Sequence, residues 1–333
     1  MLFKIFNMDG DNLITRMNEL GAAREPFLFI IDFEMTQPLV YPLRELESTG
    51  IQYKFNALSN AQSKAISKRE LLPVELTRYP MDKNSYKQAF NEVKRNIQHG
   101  NSFLVNLTFP TPIDLNLDLE DIFHLSEARY KLLVPGHFVV FSPEIFVRIF
   151  NGRIYSHPMK GTIDAAVSNA REMILKDPKE RAEHATIVDL IRNDLSMIAN
   201  DVQVDRFRYV EEIRTHQKKL LQVSSEISGS MPEDFHKHLG ELFVRLLPAG
   251  SISGAPKPKT LEIIEQAENY QRGYYTGVFG VFDGYDLDSA VMIRFIEQTE
   301  EGYVYKSGGG ITAFSECEKE YQELIDKVYV PVY

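Results

Sequence analysis

The chain has one cysteine, Cys317, in 333 residues, and that scarcity excludes an internal disulfide and any zinc site built on several thiolates. It fits a reducing compartment. Long apolar runs are missing too. The most apolar early stretch, Phe27–Ile31, falls well short of the roughly 20 residues that span a bilayer, and between Pro26 and Asp32 it predicts a buried strand. The N-terminus shows neither an apolar core of about 7–15 residues nor a small-residue cleavage site, so no signal peptide is expected and the predicted location is the cytoplasm. Positive charge is in deficit: 37 Lys+Arg against 47 Asp+Glu give a net charge of −10. That balance argues against nucleic acid and anionic membrane as partners. A small anionic substrate stays compatible with it, provided one basic or metal-filled pocket reverses the local sign. Internal repeats and low-complexity tracts are absent.

What remains is an ordinary globular composition, 44% hydrophobic and 25% charged. At roughly 150 residues per domain the length suits two domains or one large intertwined one. Residues 1–80 read as two or three strands with turns, a short strand-rich segment packing on a main domain over 81–333, and 59–70 as a solvated loop or short exposed helix. Behind Asp82, the residues Tyr86, Phe90, Val93 and Ile97 share a helical face that Gly100 ends. The clearest helix is 178–199, with Asp177 as cap, Pro178 in the first turn and Ile187, Val188, Leu190, Ile191, Leu195 and Ile198 at helical spacing. Helices are also predicted over 218–227, 236–247 and 259–269. Strands are predicted over 103–108, 137–141 and 146–150, with Asn151-Gly152 turning into 153–156, and over 275–283, 290–298 and 302–307. Ser315 and Glu318 have capping-box spacing and open a last helix to about Val328. This irregular interleaving predicts an α+β fold with largely antiparallel sheets.

Two pairs of glutamates stand at helical spacing. Glu180 and Glu183 share a face of the 178–199 helix, and Glu320 and Glu323 repeat the pattern on the last one. If the two helices meet, four carboxylates converge and demand compensation, for which a hard divalent cation is the usual means. Spacing alone also fits solvent-facing residues. In the same way Gly250, Gly254 and Gly308–Gly310 allow close backbone approach to a carboxylate but equally fit tight turns, and Arg294 suits a carboxylate ligand or a buried ion pair.

Eight ordered segments over about residues 85–330 resemble the chorismate-utilising enzymes, the family of anthranilate synthase component I, aminodeoxychorismate synthase component I, isochorismate synthase and salicylate synthase. They are Ser142-Pro-Glu-Ile-Phe146, Pro158-Met-Lys-Gly-Thr162, Glu180-Arg-Ala-Glu-His184 with Ile187 to Leu195, and Pro248 to Lys257. Arg272-Gly-Tyr-Tyr-Thr-Gly277, Ile293-Arg294, Gly308-Gly-Gly-Ile311 and Glu320-Tyr-Gln-Glu323 complete the set. The resemblance implies two intertwined, largely antiparallel sheets packed together and flanked by helices, a four-layer sandwich. It implies that Glu183 and Glu323 ligate Mg²⁺, with Glu180 and Glu320 assisting, and that the metal holds the ring carboxylate of chorismate. Tyr275 and Arg294 are expected on the enolpyruvyl carboxylate, with Gly161, Thr162, Ser253, Gly254, Gly308, Gly309, Gly310 and Lys327 completing the substrate pocket.

Within the family, Lys160 resembles the lysine of the aminodeoxychorismate synthases, where anthranilate synthases usually carry alanine. A neutral lysine amine beside the ring can add to C2 while the 4-hydroxyl leaves, after which ammonia attacks C4 and displaces it. Glu144 resembles the family's general acid for the departing hydroxyl. Leu104 stands where isochorismate and salicylate synthases carry a lysine base, and Gln222 where many anthranilate synthases carry histidine. The expected activity is therefore that of aminodeoxychorismate synthase component I, in folate precursor synthesis, with anthranilate synthase component I and a non-catalytic chorismate-binding regulatory subunit as the alternatives. Cys317 sits among acidic residues that disfavour a thiolate, so ammonia is expected from a separate glutamine amidotransferase subunit, and a separate lyase is expected to act on the product.

Overall fold

The strand Phe27–Ile31 is buried at all five residues because both of its faces are covered. Phe27, Phe29 and Ile31 join Leu13, Met17 and Phe243 on the helix side, whereas Leu28 and Ile30 join Phe55, Tyr130, Phe279 and Phe295. The structure, a computed structural model, describes residues 10–56, 58–61, 73–214 and 219–331. Among these, two nine-stranded antiparallel sheets form, with helices flanking them. The first runs in the order Leu39–Pro42, Phe27–Ile31, Val278–Phe282, Leu287–Val291, Ile145–Phe150, Arg153–Ser156, Lys219–Ser230. Lys219–Ser230 pairs along its other part with Met159–Asp164, and along its far edge with Asn200–Arg214. The second sheet centres on Leu104–Leu115, Gly302–Ile311, Phe295–Thr299, Phe138–Ser142 and Tyr130–Val134. A cluster of Leu119, Ile122, Phe123, Phe141 and Ile296 covers one face of that sheet under the Leu119–Leu125 helix. Strands from residues 27–59 lie in both sheets.

The helix Lys83–Gln98 carries the predicted face, and Asp82 caps it by accepting from the Asn84 and Ser85 amides. Pro178–Ser196 forms as predicted, with the Asp177 side chain accepting from the Glu180 amide. Four expectations change. The helix predicted over 218–227 does not form across the described residues 219–227: Lys219–Ser230 is a strand, hydrogen-bonded on both edges, whose serines and β-branched residues suit a ladder better than a helix. The single strand predicted over 290–298 is two, Leu287–Val291 in one sheet and Phe295–Thr299 in the other, and Arg294 takes the left-handed conformation (φ 56°) at the crossing. The capping box at Ser315 does not form. Ser315 Oγ accepts instead from the Thr312 amide, Glu318 pairs with Lys83, and the last helix is Cys317–Asp326. Residues 1–80 also contain a helix, Gly10–Ala22, docked through Leu13, Met17 and Leu20. Most of the solvated stretch predicted over 59–70 lies outside the described residues. Among those described, no helix is long and apolar enough to cross a membrane.

Candidate functional site

The strand Met159–Asp164 is irregular where the chemistry was expected. Met159 pairs with Ser224 and Thr162 with Gln222, so three steps on one strand answer two on its neighbour. The extra residue is a bulge, and bulges re-aim side chains. Gly161 supplies the positive φ it needs, 85°, and a Cβ there would lie 2.7 Å from Glu180 Oε2. Lys160, re-aimed, places Nζ 3.0 Å from Glu183 Oε2, with side chains 27% and 10% exposed. Burial pushes the amine down, but Glu183, Glu180 and Glu323 outweigh it and hold the amine above the ordinary lysine value.

Lys160 also borders a cavity of about 130 Å³, together with Glu144, Leu104, Ser251, Asp194 and Gly310. Glu144 follows the strand Phe138–Ser142, its amide donating to Ser142 Oγ at 3.1 Å and its carboxylate Oε1 accepting from Ser251 Oγ at 2.8 Å. Burial pushes the Glu144 carboxyl above its usual range, against opposing contributions from Ser251, Lys327 and Arg294. The cavity thus brings an amine and a buried carboxyl to the same space, the pair of groups that a nucleophilic displacement with acid assistance needs.

The two glutamate pairs reach the site from different helices. Glu180 and Glu183 flank Gly161 and Lys160, and Glu183 Oε1 accepts from Thr312 Oγ1 at 3.3 Å just past the strand Gly302–Ile311. Glu320 and Glu323 flank Gly309, where a Cβ would sit 3.5 Å from Glu320 Oε2 and 3.3 Å from Glu323 Oε1. Lys327 lies 2.6 Å from Glu323 and donates to the Gly308 carbonyl at 2.7 Å. Glu183 and Glu323 therefore each carry an ammonium partner. Among the described residues, no group of three or more His, Cys, Asp or Glu is arranged ready to hold a metal ion.

Arg294, at the crossing between sheets, has no carboxylate partner among the described residues. Its guanidinium donates to Tyr329 Oη at 3.3 Å and lies over that ring. Tyr275 is buried, its hydroxyl pushed up by burial and drawn back by Arg272 and Arg294. Phe295 is fully buried against Phe138 and Tyr275 and so backs the tyrosine, while Phe314 is exposed. Thr162 is exposed at the strand edge. Ser253 is buried and donates to the Ala249 carbonyl, and the Gly254 amide donates to Gly250, so these groups are taken up in closing their own turn. Burial and Glu318 push the Cys317 thiol up.

Sequence reasoning missed Ser251 and Asp194 as individual cavity residues, although both stood inside quoted segments. It also missed the role of Arg272. This residue is 1% exposed, bound to Glu268 through Nε at 2.8 Å and Nη2 at 2.5 Å, and to the Ile252 and Asn106 carbonyls. It ties the Gly250–Ser253 turn to the strand Leu104–Leu115 behind the cavity.

Known proteins resemble this chain in sequence and fold. The profile of the family described as chorismate binding enzyme matches residues 31–332. An uncharacterized PabA-like protein of Pasteurella multocida is 50% identical over 319 residues, covering 96% of this chain and 98% of that one. Aminodeoxychorismate synthase component 1 of Klebsiella aerogenes is 31% identical over 265 residues, with 74% and 57% covered, and an anthranilate synthase component 1 of Haloarcula marismortui is 30% identical over 308, with 85% and 62% covered. The menaquinone-specific isochorismate synthase MenF of Escherichia coli superposes with a TM-score of 0.73 over 97% of this chain and 82% of its own, at 17% identity, a likeness of fold. The chain belongs to the chorismate-binding enzyme family.

Proposed function

We propose that the protein is an aminodeoxychorismate synthase component I, which forms 4-amino-4-deoxychorismate from chorismate and ammonia for folate precursor synthesis. The observation that carries this reading is that Lys160 and Glu144 border one cavity with Leu104 beside them. In this reading Lys160 Nζ adds to C2 of the ring, the double bonds shift, and the C4–O bond breaks as Glu144 delivers its proton, releasing water. Ammonia then adds at C4, the double bonds return, and the lysine leaves with its electron pair. A leucine at position 104 cannot deprotonate water for attack at C2, which disfavours an isochorismate product. Arg294 and Tyr275 suit the enolpyruvyl carboxylate.

The donor set fits Mg²⁺: four carboxylates, hard oxygen ligands, opposite glycines that leave room beside them. Glu183 and Glu323 would hold it, with Glu180 and Glu320 assisting. When bound, the ion supplies positive charge for the ring carboxylate and takes over the compensation that Lys160 and Lys327 give in the structure. Lys160 must lose its proton to act, and the carboxylates that hold its amine up are the same ones. Burial and Glu318 hold the Cys317 thiol up, which disfavours it as a glutaminase nucleophile and supports a separate amidotransferase as the ammonia source. The reading places a separate lyase downstream, and the pathway in the cytoplasm.

The test is the product formed by the purified protein with chorismate, Mg²⁺ and ammonium. The expected outcome is 4-amino-4-deoxychorismate, converted to 4-aminobenzoate only when a lyase is added. Fluorescent anthranilate and pyruvate without a lyase would overturn the proposal in favour of anthranilate synthase, and failure to consume chorismate would favour a regulatory subunit.

A further inference from the structure

The turn Gly250–Ser253 is clamped from several sides. The Ile252 carbonyl accepts from Asn106 Nδ2 and from Arg272 Nη1, both at 2.9 Å. Gly250 presses against the Pro178–Ser196 helix, where a Cβ would come within 2.9 Å of Leu190 and 3.0 Å of Asp194 Oδ2. Asp194 is held in turn by Lys257, 2.8 Å away, which also donates to the Leu246 carbonyl at 2.8 Å. The Ser251 hydroxyl is therefore placed by its scaffold, and it points at one oxygen of Glu144. The other oxygen, Oε2, has no hydrogen-bond partner among the described residues.

We propose that Ser251 is a positioning residue: by donating to Glu144 Oε1 it assigns the proton to Oε2 and aims that oxygen at the departing hydroxyl. This rests on the reading of Glu144 as the general acid. During the step the proton passes from Oε2 to the 4-oxygen as the C4–O bond breaks, water leaves, and the carboxylate that results already has a donor in place on Oε1. A carboxyl group without that donor turns more freely and has two equivalent places for its proton. The groups facing Glu144 are Lys327 from the end of the last helix, Arg294 from the crossing, Tyr275 from the turn before Val278–Phe282, and Lys160, His157 and Asp194 around the cavity. Among the described residues, Ser251 is the one that donates a hydrogen bond to its side chain. Its donation favours the ionised form, so its removal raises the pH at which the acid is lost.

The test follows chorismate consumption by the full chain with Mg²⁺ and ammonium across pH, a readout that is the same whichever amino product forms. Ser251→Ala is expected to lower kcat by about tenfold or more, leave KM within about twofold, and move the alkaline limb of kcat to higher pH. Ser251→Thr keeps the hydroxyl and returns the limb to its wild-type position, and Ser251→Gly behaves as Ser251→Ala does. In a Glu144→Gln background, Ser251→Ala is expected to add no further loss. An unchanged limb in Ser251→Ala, a loss confined to KM, or full additivity with Glu144→Gln would each overturn the proposal. Wild-type turnover by Glu144→Gln itself would remove Glu144 as the acid and this inference with it. An anthranilate product would sink the proposed function alone.

Discussion

Two buried or half-buried ion pairs in this protein are satisfied to very different degrees. Arg272 and Glu268 are each 1% exposed, and nearly every polar atom of the pair is engaged: the guanidinium also reaches two backbone carbonyls, and Glu268 Oε1 also accepts from the Thr108 amide and hydroxyl. Lys160 Nζ lies 3.0 Å from Glu183 Oε2, with the lysine 27% exposed. The first pair is saturated and holds strands and turns in register, since breaking it strands a charge in the interior. The second stands beside a cavity with its lysine partly exposed, and so is open to rearrangement in a way the first is not. The saturated pair is scaffold, and the proposed function assigns the chemistry to the other.

That contrast can be broken from either side. Lys160→Ala is expected to cut chorismate turnover by on the order of 10⁴ or more while the urea midpoint stays near wild type, because Thr312 Oγ1 still donates to Glu183 and the space the lysine leaves opens on the cavity, where water can enter. Equal losses of stability and turnover would erase the distinction. Arg272→Ala is expected to destabilise the fold by about 3–5 kcal/mol, read from urea denaturation, by leaving Glu268 uncompensated. Gly161→Ala probes the bulge that aims the lysine. Its Cβ would meet Glu180 Oε2 at 2.7 Å in a backbone conformation that suits glycine, so a cost of about 1–3 kcal/mol is expected in thermal denaturation, with turnover reduced as Lys160 and Glu180 shift.

How much of this was legible in the sequence follows from how local each signal is. The Pro178–Ser196 helix was readable because Asp177, Pro178 and the apolar spacing all act within a few turns. The strand Lys219–Ser230 was not, because its apolar residues fit a short helix until pairing on both edges decides the matter. The helix Gly10–Ala22 was overlooked although Leu13, Met17 and Leu20 carried a helical spacing. At the site, Lys160, Glu144 and the glutamate pairs were recognisable as residue types in ordered segments. Their placement was not: Ser251 and Glu144 are 107 positions apart, and Thr312 reaches Glu183 across 129. The crossing at Arg294 was hidden inside an apolar alternation that reads as one strand, since nothing local announces a change of sheet.

The bulge at Met159–Thr162 also makes Lys160 a matter of parity. Side chains alternate along a strand, and the extra residue lets Lys160 leave that alternation while the pairing beyond it is kept. Loss of one residue between positions 159 and 162 would restore an unbroken ladder, with Thr162 still opposite Gln222, and would take from Lys160 the aim the bulge gives it while leaving the lysine itself in the sequence. In comparisons among relatives, a one-residue gap at this point therefore carries as much meaning as a substitution of the lysine.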